Sequence, residues 1–380
     1  MATAESSAES RAGARVEARA AADLAFAPHE VRLTGRQWLL VAAVSAAFFA
    51  LAPAFWSRFE PFTPGPDYRM PYALSSDYWQ FSRYCRWAES QRKTVLLGDS
   101  MVWGQYVAQD GTLSHYLNEL AGDDHFANLG LDGAHPAALA GLLEHYAGAI
   151  QGCKVIVQCN PLWMSSEKSD LTSKEESRFN HPRLVPQFVP AIPCYKEPWS
   201  GRLNIVIERQ VPFFAWTQHL QAAYFDQMDA ASWTLAHPYR DPVTALGRPA
   251  TTAPDPNPPA VPWTQRGITA QDFAWVEARD SFQWRSFQEL LRVLKRRHNE
   301  VFVLVGPFNE HMLTPASLAR YDVLKAQILA GLRAEGVPCC APEALPSELY
   351  ADASHPLKQG YALLAKELFA CDAFAPFRSR

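Results

Sequence analysis

The order of short apolar runs and amphipathic segments predicts a doubly wound, flavodoxin-like α/β domain. It consists of a parallel sheet of about five strands with helices on both faces, preceded by one transmembrane helix. Three observations lead there. Short apolar runs alternate with helical stretches from about Lys93 to the C-terminal region. The runs are nearly continuous in apolar residues, as strands covered on both faces are. One uncharged stretch near the N-terminus is long enough to cross a bilayer. The chain of 380 residues has room for one large domain or two ordinary ones.

The uncharged stretch comes first. Gln37 to Ser57 contains no charge, and Trp38 to Trp56 is almost wholly apolar. Those roughly nineteen residues, at about 1.5 Å each, reach roughly 28 Å. Trp38 at one end and Phe55 and Trp56 at the other suit the two interfaces. A cleavable signal peptide competes with this reading, because Ala50-Leu51-Ala52 has the small-x-small form of a cleavage site. The polar tail of about 36 residues before it is long for such a signal. A buried soluble helix is the third option. An uncleaved anchor at 37–57 is expected. Arg32 and Arg36 before the span, against Arg58, Glu60 and Asp67 after it, put the 1–36 tail in the cytoplasm and the rest in the periplasm or outside the cell.

Composition narrows the partners. A formal net charge of −4 offers no basic footprint for nucleic acid. The 7 Cys form no CxxC pair and no Cys/His cluster with zinc spacing, so neither a metal nor another cofactor is expected. Cys153 and Cys159 flank or sit in an apolar run and read as core. Disulfides are permitted in an exported domain, but the sequence does not pair them.

Residues 58–92 read as a linker and lead-in, extended through Pro61, Pro64 and Pro66. The domain proper is expected at 93–380. Its strands are read at Thr94–Leu97, Phe126–Leu131, Val155–Val157, Val301–Val305 and Val337–Cys340. Helices are read at Thr112–Ala121, Pro136–Ile150, Asp272–His298, Pro315–Glu335 and Leu357–Phe369. The alternation breaks at about 161–270, a Trp- and Pro-rich insertion with Trp163, Trp199, Trp216, Trp233, Trp263 and the patch Pro254–Pro262. So long a stretch implies small helices, one around Pro212–Met228, forming a cap over the strand ends.

Two short motifs carry chemistry. Gly98-Asp99-Ser100 ends the first strand run and places a serine hydroxyl at the ligand-binding edge of the sheet. An ordinary strand-to-helix turn with a capping Asp or Ser has the same pattern. Asp352-Ala353-Ser354-His355 precedes the last helix. An Asp three residues before a His can hold one ring nitrogen while the other faces Ser100, although the pattern also serves as a helix cap. His311, in the run Gly306–Met312 after the fourth strand, is the rival base, and it lacks an Asp three residues upstream.

Taken together these blocks resemble the SGNH/GDSL hydrolase family, over roughly residues 93–160 and 300–370. The resemblance implies Ser100, Asp352 and His355 as a catalytic triad. It also implies an oxyanion hole from the backbone N–H groups of Ser100 and Gly133, the latter in Asn128-Leu129-Gly130-Leu131-Asp132-Gly133, and from the Asn160 side chain. The third block departs from the family's Gly-x-Asn-Asp, reading Gln158-Cys159-Asn160-Pro161, and Asn160 also reads as a residue that turns the chain. Asp99, Trp103, Trp163, Asn309 and His311 are further candidates for substrate contact. With its anchor the chain resembles the membrane-bound branch that works beside multi-span acyltransferases on exopolysaccharide, alginate or teichoic acid. The expected activity is serine-dependent O-acyl, chiefly acetyl, transfer to or from an extracytoplasmic glycan, as transferase or esterase. The alternative is a catalytically silent scaffold that binds a glycan or a membrane acyltransferase.

Overall fold

The computed structural model describes residues 33–247 and 260–379. Most of the 1–36 tail, Arg32 included, and Pro254 to Pro259 of the Pro-rich patch lie outside the described residues. Two compact units divide the chain at Ala52/Pro53. The helix α1, Gly35–Phe59, begins in the first and ends in the second. Its mean hydropathy of 2.1 over 25 residues makes it long and apolar enough to cross a membrane, and Leu39, Leu40, Val44 and Leu51 are exposed.

The second unit is built on five strands: β1 (Thr94–Gly98), β2 (Phe126–Gly130), β3 (Lys154–Cys159), β4 (Glu300–Val305) and β5 (Cys339–Cys340). They form one sheet in the order β2-β1-β3-β4-β5, and every pair is parallel. The order reverses between β1 and β3, which opens a crevice at the carboxyl ends of the strands.

Alternate residues of each strand face opposite sides. Val95, Leu97, Val155, Val157 and Val303 join one core with α2 (Tyr78–Ser90), α5 (Pro136–Tyr146) and α10 (Phe282–Arg296). Leu96, Ile156, Phe302 and Leu304 join the other with α4 (Leu113–Ala121) and α12 (Lys358–Ala370). Between β1 and α4 lies the one-turn helix α3 (Ser100–Trp103). It crosses β2 so closely that a Cβ on Gly130 would lie 2.2 Å from the Trp103 nitrogen. Only glycine fits there.

Three expectations are corrected. The lead-in contains α2, whose start is set by Asp77 accepting from the Gln80 N–H at 2.9 Å. The helix expected from Asp272 starts only at Phe282. Ser281 caps it, and the Asp170 carboxylate accepts from the Ser281 hydroxyl and the N–H groups of Phe282 and Gln283; an acidic side chain from elsewhere thus satisfies the first-turn donors. The insertion also divides in two. Its first part, to about residue 195, lies on the strand ends. Its helices α6 (Trp199–Gln210), α7 (Pro212–Tyr224), α8 (Ala230–Ala236) and α9 (Pro242–Leu246) follow, and α7 packs on α2. The helix at Pro212 is therefore not the cap over the strand ends. Between α10 and α12, helix α11 (Pro315–Ala334) bridges β4 to β5.

Candidate active site

At the carboxyl end of β1 the chain enters α3 through Asp99, and Ser100 is its first residue. The Ser100 Oγ lies 2.8 Å from Nε2 of His355. Nδ1 of the same ring lies 2.8 and 2.9 Å from the two oxygens of Asp352. The three residues form one hydrogen-bonded relay across 255 positions of sequence.

The turn holding His355 is fastened from several sides. The Asp352 Oδ1 also accepts from the N–H groups of Ser354 and His355. The Ala351 N–H bonds to the His355 carbonyl at 2.9 Å, and the Asn309 N–H to the Ala353 carbonyl at 2.8 Å. The Asn309 side chain donates to the Asp352 carbonyl at 3.1 Å. From α12, which follows His355, the Tyr361 hydroxyl donates to the Met101 carbonyl at 2.7 Å, pinning α12 to α3.

Electrostatics follow from this packing. Burial disfavours the charged His355 ring. The bond and charge of Asp352 outweigh it, with Asp99 and Asp132 adding, and the ring's pKa is raised. Burial likewise works against ionised Asp352, yet His355 and the two backbone N–H groups hold its carboxyl below the usual range. Asp132 is raised by burial.

The oxyanion candidates are brought to the same edge, each on a different strand. Gly98 pairs with Gly130, so the chain after β2 runs beside Ser100. Gly133 has φ +68°, and a Cβ there would lie 2.1 Å from Nδ2 of Asn180. Both facts call for glycine. Among the described residues the N–H groups of Ser100 and Gly133 have no hydrogen-bond partner. Asn160 follows β3 and is buried; its amide donates to Asp99 Oδ2 at 2.7 Å, and its oxygen accepts from the Leu162 N–H at 3.0 Å. It turns the chain and supports Asp99, with one amide hydrogen left over.

Asp99 is the hub of this edge. Besides Asn160 it accepts from the Trp163 indole at 2.8 Å and the Met101 N–H at 2.9 Å. Its own N–H reaches the Gln158 side chain at 3.3 Å. It is 1 % exposed, its carboxylate taken up by these bonds. Trp103 and Asn309 are buried as well. Trp103 donates to the Met70 carbonyl. His311 is exposed and bonds to the Leu345 carbonyl at 2.9 Å; the imidazole at Ser100 is that of His355. Trp163 is half-buried between Asp99 and His135, 5.6 Å ring to ring. Of the other insertion tryptophans, Trp216, Trp233 and Trp263 are packed inside.

Several residues of the edge carried no sequence signal. The Tyr106 ring stands edge-on to His355 at 5.7 Å. The Arg266 guanidinium lies over Tyr106 at 5.3 Å and donates to the Ala351 carbonyl. From the insertion, His181 reaches the Asp132 carbonyl at 2.7 Å and the Tyr78 hydroxyl at 3.0 Å. His135, held at about 4 by burial, is neutral and caps α5. No spacing rule links these positions to Ser100; Asp132 alone stood inside a recognised block. Among the described residues no three His, Cys, Asp or Glu side chains gather as a metal cluster would. All seven cysteines are free thiols. A cavity of about 640 Å³ lies between α5, α6, α10 and the loop at 184–190, and contains none of the triad.

No family model and no curated protein matches the chain.

Proposed function

We propose that the protein is a membrane-anchored serine acyltransferase of SGNH type, passing an acyl group, chiefly acetyl, to or from an extracytoplasmic glycan. The observation that supports it is the unbroken relay from Ser100 through His355 to Asp352. A hydroxyl so placed attacks a carbonyl carbon while its proton moves to Nε2. The oxyanion is received by the Ser100 and Gly133 N–H groups and the remaining amide hydrogen of Asn160. The leaving oxygen takes the proton from His355 as the old C–O bond breaks. An acceptor hydroxyl then repeats the sequence in reverse and frees Ser100. Anchoring keeps such a site beside a membrane partner, such as a multi-span acyltransferase, that hands over the acyl group. In the second reading the protein is a silent scaffold, favoured by one observation: the recorded bonds of Asn160 go to Asp99 and the turn.

The experiment uses the full chain in detergent with an aryl acetate as donor and oligosaccharides as acceptors. Acylated sugar in excess of free acid is expected with a matching acceptor. Free acid alone with every acceptor makes it an esterase, and no turnover with no labelling by a fluorophosphonate favours the scaffold.

The pH profile has a defined sign. His355 must be neutral to act as base, and its pKa is raised. The rise of kcat/KM with pH should therefore come above the ordinary imidazole value of about 6.5. Asp352→Asn removes the charge that raises it, so the limb should move to lower pH while kcat falls by roughly 10⁴. A limb that stays in place in this variant would show that another group titrates.

A further inference from the structure

Helix α6 exposes a row of large apolar side chains while its charged ones are half-buried. Trp199, Leu203 and Ile207 recur every fourth residue and are 68 %, 36 % and 49 % exposed. The charged side chains of the helix turn inward instead. Arg202 donates to the carbonyls of Gln187 and Tyr195, and Arg209 to those of Arg183 and Val185. Glu208 pairs with Arg183. A helix facing water has the reverse arrangement.

The pattern extends beyond α6. Phe188 and Val189 before it are exposed, as are Leu235, Tyr239 and Val243 after it. Outside α1, large apolar residues exposed among the described residues are otherwise confined to Tyr72, Leu120, Val261 and Val323. Single exposed apolar residues are ordinary; a concentration in one segment marks a contact surface.

The place of this segment says what covers it. Only Val211 separates α6 from α7, and α7 is fastened to the last turn of α1. The Trp56 ring lies 6.0 Å from those of Trp216 and Tyr224. His219 of α7 bonds to Glu60 at 2.8 Å. A spanning helix ends at headgroup level, so α7 and the elements packed on it are tethered to that level.

We propose that the α6–α9 segment lies on the lipid surface, with Trp199, Leu203 and Ile207 turned into the boundary between headgroups and acyl chains. The proposal rests on reading α1 as a membrane span. Lipid suits the observations better than a protein pocket. The apolar residues are spread over several helices and a loop, which a fluid surface can follow, and Trp and Tyr stand among them as at membrane interfaces.

The test uses the full chain in phosphatidylcholine nanodiscs with and without nitroxide-labelled lipid. An environment-sensitive fluorescent amino acid is placed singly at Phe48, Leu203, Ile207, Tyr239 or Val323. Emission at 48, 203, 207 and 239 should fall about twofold or more with labelled lipid, as expected for groups buried about 5–10 Å into the interface, while that at 323 should not. Quenching at 48 without any at 203, 207 and 239 overturns the surface and leaves the span standing. No quenching at 48 removes the span, and the proposal with it. Shielding of 203 from aqueous iodide in native membranes but not in nanodiscs would assign the face to a protein partner and overturn the lipid.

Discussion

Ser100→Ala is expected to lower turnover of an aryl acetate by at least roughly 10⁴-fold and to abolish fluorophosphonate labelling, with an unchanged unfolding curve. The hydroxyl is half-buried and its recorded hydrogen bond goes to His355. Its loss therefore removes one side-chain contact and leaves the α3 turn, held by Asp99 and Tyr361, in place. His355→Ala should match this loss, and the double variant should be little worse than either single, because members of one relay fail together. His311→Ala should cost far less, since its ring supports the Leu345 carbonyl. Labelling of a folded Ser100→Ala protein would remove the acyl-transfer reading, and His311→Ala as the more damaging change would show that the base is misassigned.

The largest effect on stability is expected from His219→Ala. This ring is fully buried and sits between two carboxylates, with Nδ1 2.6 Å from Asp77 and Nε2 2.8 Å from Glu60. Trp79 covers one face at 4.4 Å. Burial disfavours its charge, but the bonds and charges of Asp77 and Glu60 outweigh that and raise its pKa to about 9. Removing it leaves buried Asp77 short of its partner and half-buried Glu60 with Arg83 alone as a charged partner, a loss of about 3–5 kcal/mol. Urea unfolding of the full chain in detergent measures it, and adding Asp77→Ala should cost less than the sum of the singles. The pH dependence has the sign of a raised group. The contribution is full below the unfolded value of about 6.5 and fades as pH climbs through about 9. A variant as stable as the parent at neutral pH would show that the ion cluster holds nothing together.

The sheet was legible because its strands are short, apolar on both faces and punctuated by glycine or helix signals. Thr94–Gly98 and Glu300–Val305 differ from their expected bounds by a single residue. Helix α2 was not legible. Its apolar residues are mixed with Arg83, Arg86 and Glu89, and Arg83 is buried through its ion pair with Glu60 from outside the helix. The start of α10 was misjudged for a like reason, since Asp170 supplies a cap from more than a hundred residues away. At the site, Ser100, Asp352 and His355 stood in compact motifs, and the structure brings them together. Asp99 was visible as part of its motif, but its partners Trp163 and Gln158 depend on how β3 leaves the sheet. Tyr106 and Arg266 come from loops whose course no local pattern fixes.

The 255-residue interval between Ser100 and His355 also orders events in the life of the chain. The serine leaves the ribosome well before its partners, in a strand and one-turn helix that later pair with β2 and β3 and bond to Tyr361. Its partner imidazole follows 255 residues later, just ahead of α12, the helix that covers one face of the sheet beside α4. Until that helix docks, the serine lacks its hydrogen bond to His355, and Leu96, Ile156 and Phe302 lack part of their cover. A chain that stops before His355 thus lacks both the hydrogen bond to Ser100 and the cover of α12, and is open to proteases. Protection of the core and assembly of the Ser100–His355–Asp352 bonds coincide in the seating of a single helix.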